Sequence, residues 1–519
     1  MKSAKLLSIA ATILFAALTM PVRFAAQEQQ PNRHQPRYNL IDLGTLGGPN
    51  SGVPTVFYEI NGTAGAQAIS NNGTVTGNAD TSTPDPLCFF DDCFYPNAFQ
   101  WQNSVLTNLG TLPNSHWSAP NWISGNGLIA GLSENGENDP LTGTPEARAV
   151  LWQGSQITDL GTLAGGYESA ANAVNNRGQV VGLATNGVSD PYSYWYYQIL
   201  GSGTGTQGRA FLWDKQNGMQ DLGTLGGPDA WAALVNERGQ VTGISYTNST
   251  ANANNANCAP NAPAQDPFFW DKNAGMIDIG TLGGTCGVPN ALNNRGQVAG
   301  QSYLAGNTIA HAFLWDKRGH PQLNDLGTLG GDNASALWVD DAGDVVGYAD
   351  VPNPPGCNGL TCVHHGVLWK HGAITDLGSV DGDPCSRALG INARGQIVGF
   401  TAAVCGGAAT HGFLWENGGP AIDLNTLVPP GSGLSLVEAI YINDRGEIAG
   451  NGVLSNGDTH AFVLIPCGEG DASCGGESED TALQTNQSAR DLLGRTLPQS
   501  LLPQTGRYHF PGRTFGPRN

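Results

Sequence analysis

Five aromatic residues crowd one glycine- and serine-rich stretch: Tyr192, Tyr194, Trp195, Tyr196 and Tyr197, within PYSYWYYQ. Flat rings in a polar loop suit stacking on sugar rings or other planar ligands, and they serve equally well as anchors in a protein interface. Covering a neighbouring loop is the plainer role open to them. Acidic spots at Asp91–Asp92 and at Asp381 and Asp383 offer the oxygen ligands Ca²⁺ takes. Neither has a dense ligand pattern, so solvated carboxylates are the expectation. His311, His365, His411 and His460 recur at one place in a repeated block, which spreads them too far apart to share an ion. They are expected to hydrogen-bond between repeats. Glycine-rich GTLGG runs lack the Lys-Ser/Thr that a phosphate-cradling loop needs. The sequence holds no nucleophile elbow, no zinc-protease helix and no isolated carboxylate pair. No catalytic residue, metal site or cofactor is assigned.

What must position such residues is a threefold block pattern that recurs eight times. The first block is a hairpin, as in ALNNRGQVAG from Ala291 to Gly300, with turn glycines at 73, 127, 178, 239, 296, 343, 395 and 446. Apolar residues alternate on both sides of the turn, the period of a strand pair. Asn or Asp early in the turn bonds its own backbone, and Gly at its end accepts positive φ. The second block is an aromatic strand such as HAFLW at His311–Trp315. The third opens at Asp42, Asn108, Asp159, Asp221, Asp278, Asp325, Asp376 and Asp423 and reads like DLGTL. The strands of one repeat are A (Ala291–Asn293), B (Gln297–Ser302), C (His311–Asp316) and D (Leu323–Leu329).

Repeats of 47 to 66 residues with four short strands and no helical segment describe propeller blades. One such sheet cannot bury both faces alone, whereas stacking around an axis buries them. The chain opens on a lone D strand (38–46) and closes on A, B and C (436–465). An N-terminal strand can therefore complete the last blade and remove the free edge. The expected fold is an all-β propeller of eight four-stranded blades, with seven as the alternative.

The HAFLW, DLGTLGG and INNRGQVVG-like blocks resemble the HAF-type extracellular repeat family of secreted bacterial proteins. The resemblance covers residues 38–466 and implies a secreted repeat protein, with little about activity.

Residues 1–26 read as a signal peptide: Lys2 and Lys5, an apolar run from Leu6 to Met20, then Ala25 and Ala26. Residues 27–37 form a linker, 38–466 the propeller, and 467–519 a polar tail expected to be disordered. The LPQTG of Leu502–Gly506 lacks the apolar span a sortase signal needs and is read as chance. No stretch reaches membrane-spanning length. A net charge of −20 argues against nucleic acid and anionic membranes as partners. One closed ring is expected to be monomeric.

Ten cysteines in an exported chain read as disulfides, paired by loop position as Cys88–Cys93, Cys258–Cys286, Cys357–Cys362, Cys385–Cys405 and Cys467–Cys474. Insertions collect in the B–C loops, where the step from hairpin glycine to strand-C end varies from 14 to 31 residues. B–C and D–A loops share one face of the ring, and the A–B and C–D turns of the other face read as plain scaffold. The expected function is a secreted binding or scaffolding propeller whose long loops engage a carbohydrate or protein partner. The alternatives are a polysaccharide hydrolase or lyase using acidic residues of that face, and a purely structural envelope component.

Overall fold

A computed structural model describes residues 37–54, 67–86, 92–192, 205–252, 262–318, 320–352 and 361–468. They fold into eight antiparallel four-stranded meanders in chain order: blades 1 (47–108), 2 (118–159), 3 (169–221), 4 (230–278), 5 (283–325), 6 (334–376), 7 (385–423) and 8 (434–466). Blades 4 and 5 are additionally linked by one parallel pair, Gln265 with Cys286. The all-β propeller with eight blades is thus the observed fold. No described helix is long and apolar enough to cross a membrane.

The ring closes as its end blocks imply. Strand Tyr38–Asp42 pairs antiparallel with Thr459–Pro466, from Tyr38 opposite Pro466 to Asp42 opposite Phe462, and becomes strand D of blade 8. Blade 8 then bonds to blade 1. The Ala461 N–H donates to Ser51 Oγ (3.1 Å) and the Asn443 amide donates to the Ser70 carbonyl (3.0 Å). No blade is left with an open lateral face.

Phenylalanines of strand C fill the wedges between blades: Phe99, Phe211, Phe268, Phe313, Phe413 and Phe462 are fully buried. Burial of this kind is worth roughly 1.5–3 kcal/mol per side chain. Strand A is less regular than strict alternation allows. In blades 2 to 8 its register slips by one residue against strand B, for example between Ala171 and Ala173 and between Ala336 and Trp338. This bulge re-aims the residue that follows it. It also explains the second glycine of the hairpin block. A Cβ on Gly300 would lie 2.0 Å from the Val288 carbonyl, and one on Gly182 would lie 2.0 Å from that of Ala170 and 2.9 Å from the Phe211 ring.

Two expectations are corrected. Strand D ends earlier than Leu329, at Asp325, and the corresponding residue ends strand D in every blade. Its side chain turns the chain out of the sheet, as Asp325 Oδ1 does by accepting the Gly327 N–H at 2.8 Å. Second, three of the four strand-C histidines bond within their own blade. His311 meets Asp325 (2.8 Å), His365 meets Asp376 (2.9 Å) and His460 meets Asp42 (2.8 Å). Strands C and D are paired neighbours, so this Asp lies nearer than any group on the next blade. His411 instead meets Asp383 (3.1 Å), on the segment entering its blade. Blade 1 also departs from the block pattern: its first strand is Gly47–Gly52, while the hairpin residue Ile69 makes only a bridge to Val75.

Cys385 and Cys405 form a disulfide, tying the D–A side of blade 7 to its B–C loop. Cys93, Cys286, Cys362 and Cys467 are also disulfide-bonded. Their expected partners, Cys88, Cys258, Cys357 and Cys474, lie outside the described residues.

Candidate functional site

The loop face is uneven. Strand B runs to ten residues in blades 1, 2 and 3 (Val75–Pro84, Ile129–Asn138 and Val180–Ser189), and its last three residues are exposed each time. In blades 4, 6 and 7 it stops at six. Blades 1 to 3 therefore raise hairpins above the ring. Beneath them lies an apolar layer that includes Trp117, Trp231 and Tyr246.

Of the aromatic cluster read from the sequence, only Tyr192 falls within the described residues. It is half-buried, packs against that apolar layer, and its carbonyl lies 3.5 Å from the Tyr246 hydroxyl. Tyr194, Trp195, Tyr196 and Tyr197 lie outside the described residues. Of the acidic spots, Asp91 also lies outside them, while Asp92 accepts from the Asn50 amide at 2.7 Å. Asp383 accepts from Thr401 and His411, so it serves the loop rather than standing free.

Sequence reasoning missed a set of carboxyl pairs on this face, because their partners come from different strands. Asp190 touches Asp229 beside Tyr192; burial raises the pKa of both, and the charge of Asp190 adds to the rise at Asp229. Burial and the neighbouring Asp92 push Asp80 up to about 8. Burial, then the Asp85 charge, lifts Glu134 to about 7. In blade 4, Asp266 stands where blades 5 to 8 carry His. It faces Asp278, and burial and that like charge bring it to about 7. Such pairs hold a proton between them. Carboxyls in hydrogen-bond contact leave no room for a sugar and water, which glycosidases accommodate with separations of about 5–9.5 Å.

A further buried group lies at the junction of blades 6, 7 and 8. The Arg387 guanidinium stacks 4.8 Å over Tyr348 and donates to His364 Nε2 at 3.2 Å. Burial and Arg387 lower His364 to about 4. Burial raises Glu438, which accepts from the Asn451 amide at 3.2 Å, to about 7.

The turn face is built by repetition. The first residue of the A–B turn is Asn in blades 3, 4, 5, 7 and 8. Its oxygen caps its own turn, as Asn293 Oδ1 does for Arg295 and Gln297. Its amide crosses to the next blade: Asn175 to the Asn236 carbonyl (3.0 Å), Asn236 to Asn293 (2.9 Å), Asn293 to Asp340 (2.8 Å) and Asn392 to Asn443 (3.0 Å). The Asn side chain can do both at once because its oxygen accepts while its separate NH2 donates. The second turn residue adds another belt. Glu237 accepts from Asn176 N, Asn294 from Glu237 N (3.0 Å), Asp341 from Asn294 N (2.8 Å) and Asp444 from Ala393 N (3.0 Å).

Inside this belt the axis holds a cavity of about 380 Å³, lined by residues of all eight blades. Just beyond the strand-A bulges, large residues alternate with small ones around the ring. Trp122, Leu234, Trp338 and Tyr441 belong to even blades, while Ala173, Ala291 and Gly390 belong to odd ones. Trp122 and Trp338 come from opposite blades and stack with centroids 6.1 Å apart and planes 19° apart. Both line the cavity. Glu237, Asp340, Asp341 and Asp444 are among the residues lining the cavity, and among the described residues no Lys, Arg or His lines it. The turn face is therefore more than plain scaffold. No group of three or more His, Cys, Asp or Glu side chains placed to hold a metal occurs among the described residues.

No protein-family model matches the sequence, and no curated protein matches it. Solved structures do resemble the fold. The β-propeller domain of the Trilobed protease from Pyrococcus furiosus, described as having an open velcro topology, is 9% identical with a TM-score of 0.33, over 65% of this chain and 81% of that one. An acylaminoacyl peptidase of Pyrococcus horikoshii is 10% identical with a TM-score of 0.39; 75% of this chain and 57% of that chain are covered, so the match spans little more than half of that enzyme. A gluconolactonase from Xanthomonas campestris is 9% identical with a TM-score of 0.29, over 83% and 90% of the two chains. At these values the likenesses carry no argument about activity.

Proposed function

We propose that this chain is a secreted binding propeller of the HAF-type repeat family, and that its loop face engages a glycan or a protein partner. One observation carries the reading: among the described residues, ten-residue strand-B hairpins rise over blades 1 to 3, braced on a closed ring, the arrangement by which variable loops on a rigid frame become recognition surfaces. Secretion rests on the apolar run Leu6–Met20 and on the cysteines, of which Cys385 and Cys405 are joined. Joined thiols suit an oxidising compartment. The hydrolase or lyase reading draws no support from Asp80–Asp92, Asp190–Asp229 and Asp266–Asp278, which are hydrogen-bonded to each other rather than set across a substrate-wide gap.

A glycan array and a polysaccharide pull-down with residues 27–519 test this, beside a variant carrying Tyr194→Ala, Trp195→Ala and Tyr196→Ala. Binding that the variant loses supports a loop-face glycan site, and product analysis on the bound glycans checks for cleavage. If neither form binds glycans and cross-linking on the native cell surface yields no partner joined through blades 1 to 3, the proposal fails.

A further inference from the structure

The axial cavity on the opposite, turn face is not used by this reading. It is a concave site of about 380 Å³, within the roughly 300–1,000 Å³ range of small-ligand pockets. Its floor is aromatic and apolar: Trp122, Trp338, Leu234 and Tyr441 converge where the bulges of four blades aim them. The Tyr441 hydroxyl is already spent on the Pro54 carbonyl at 3.1 Å, so this side chain offers the cavity its ring. Aromatic rings at a floor can attract cations through the ring quadrupole.

The wall sets the sign of the ligand. Asp341 and Asp444 are exposed at the mouth, as is Glu237, and each holds one orientation because it accepts a backbone N–H of the preceding blade. A carboxylate so fixed keeps lone pairs for a donor without further ordering cost. Two turn arginines are already engaged: Arg295 donates to the Asp341 and Ala342 carbonyls, and Arg445 is paired with Glu447 at 2.7 Å. A recess with acidic walls and no basic lining focuses negative potential and repels anions. An aromatic floor beneath it rewards an apolar body carrying the positive charge.

We infer that the axial mouth of the turn face is a binding site for a small organic cation, an alkylammonium whose carbon body rests on Trp122 and Trp338 while Asp341 and Asp444 hold its charge. The inference is independent of the loop-face reading and would survive its failure.

Isothermal titration of the intact protein with 1,5-diaminopentane tests it, with neutral 1,5-pentanediol and maltose as the other arms. The account expects the diamine to bind, the diol and maltose to bind at least tenfold more weakly, and diamine affinity to fall as salt rises. The double variant Asp341→Asn and Asp444→Asn keeps an acceptor oxygen for each backbone N–H but gives up the Oδ2 atoms that accept from the Asn294 and Asn71 amides, so its melting temperature is measured alongside. It should lose about tenfold in diamine affinity. Trp338→Leu should also weaken the diamine, with the melting temperature reported alongside to separate folding from binding. Equal affinity for diol and diamine, tighter binding of maltose, an unchanged double variant, or no diamine heat at millimolar concentration would each overturn the site.

Discussion

The two faces of the ring are made by opposite rules. On the turn face, most blades end in similar turns whose first residue caps itself and reaches its neighbour, so that Asn175, Asn236 and Asn293 pass a chain of bonds from blade 3 to blade 6. On the loop face, strand B ends at ten residues in one blade and six in another. A disulfide holds blade 7, and contacting carboxyls sit at several blade edges. The lesson is one of division. A face whose side chains tie blade to blade can fix the ring, and the other is then released to vary in length and chemistry. Repeat proteins need such neighbour bonds because each unit contacts little else.

Breaking the ring should have the largest effect. Deleting residues 27–46 removes strand Tyr38–Asp42 and bares the edge Thr459–Pro466. The expected outcome is an aggregating protein by size-exclusion chromatography, and a soluble truncation melting like the intact chain would break the closure account. Next in size is Gly300→Ala. The new methyl would meet the Val288 carbonyl at the bulge, and overpacking against backbone costs about 1–3 kcal/mol or more in denaturant titration.

Asn293→Ala and Asn293→Asp sharpen the comparison from within the belt. Alanine loses both the cap and the blade-to-blade donor, at about 2 kcal/mol, whereas aspartate keeps the cap and should lose about half as much. Equal losses would mean that the cross-blade bond contributes nothing.

The loop face should show the smaller, pH-linked effect. Asp266 is raised from 3.8 to about 7 by burial and Asp278. The folded form therefore holds a proton that the unfolded chain has released between these values. Stability from this group is full below about pH 3.8 and declines as pH rises through 7. Asp266→His recreates the pair seen at His311 and Asp325. By removing the like charge it should raise the melting temperature at pH 7.5 by about one degree, a contact of this exposure contributing up to about 1 kcal/mol, with less gain at pH 5.

Much of this architecture was legible in the sequence, because it is carried by repetition. Turn glycines, HAFLW strands and the lone N-terminal strand specify blades and closure without any tertiary knowledge. Three things were hidden for physical reasons. A one-residue bulge leaves no mark on a period-two pattern, so the stacking of Trp122 on Trp338 could not be read. The alternation of Trp122, Ala173, Leu234, Ala291, Trp338, Gly390 and Tyr441 was nonetheless available as a signal. The histidine partners were misjudged because strand pairing within a blade places Asp325 beside His311 more closely than any neighbouring blade could. Carboxyl pairs such as Asp190 and Asp229 come from separate strands and have no fixed spacing to recognise.

The division between faces is tested most directly by native-state hydrogen exchange with mass spectrometry, following the eight A–B turns and the strand-B ends of blades 1 to 3 in one experiment. The account predicts slow, similar exchange at all belt turns, including the Asn443–Ser70 junction that closes the ring, with faster exchange at the exposed strand ends 82–84, 136–138 and 187–189. Rapid exchange confined to the turns of blades 8 and 1, or turns no better protected than those strand ends, would contradict it.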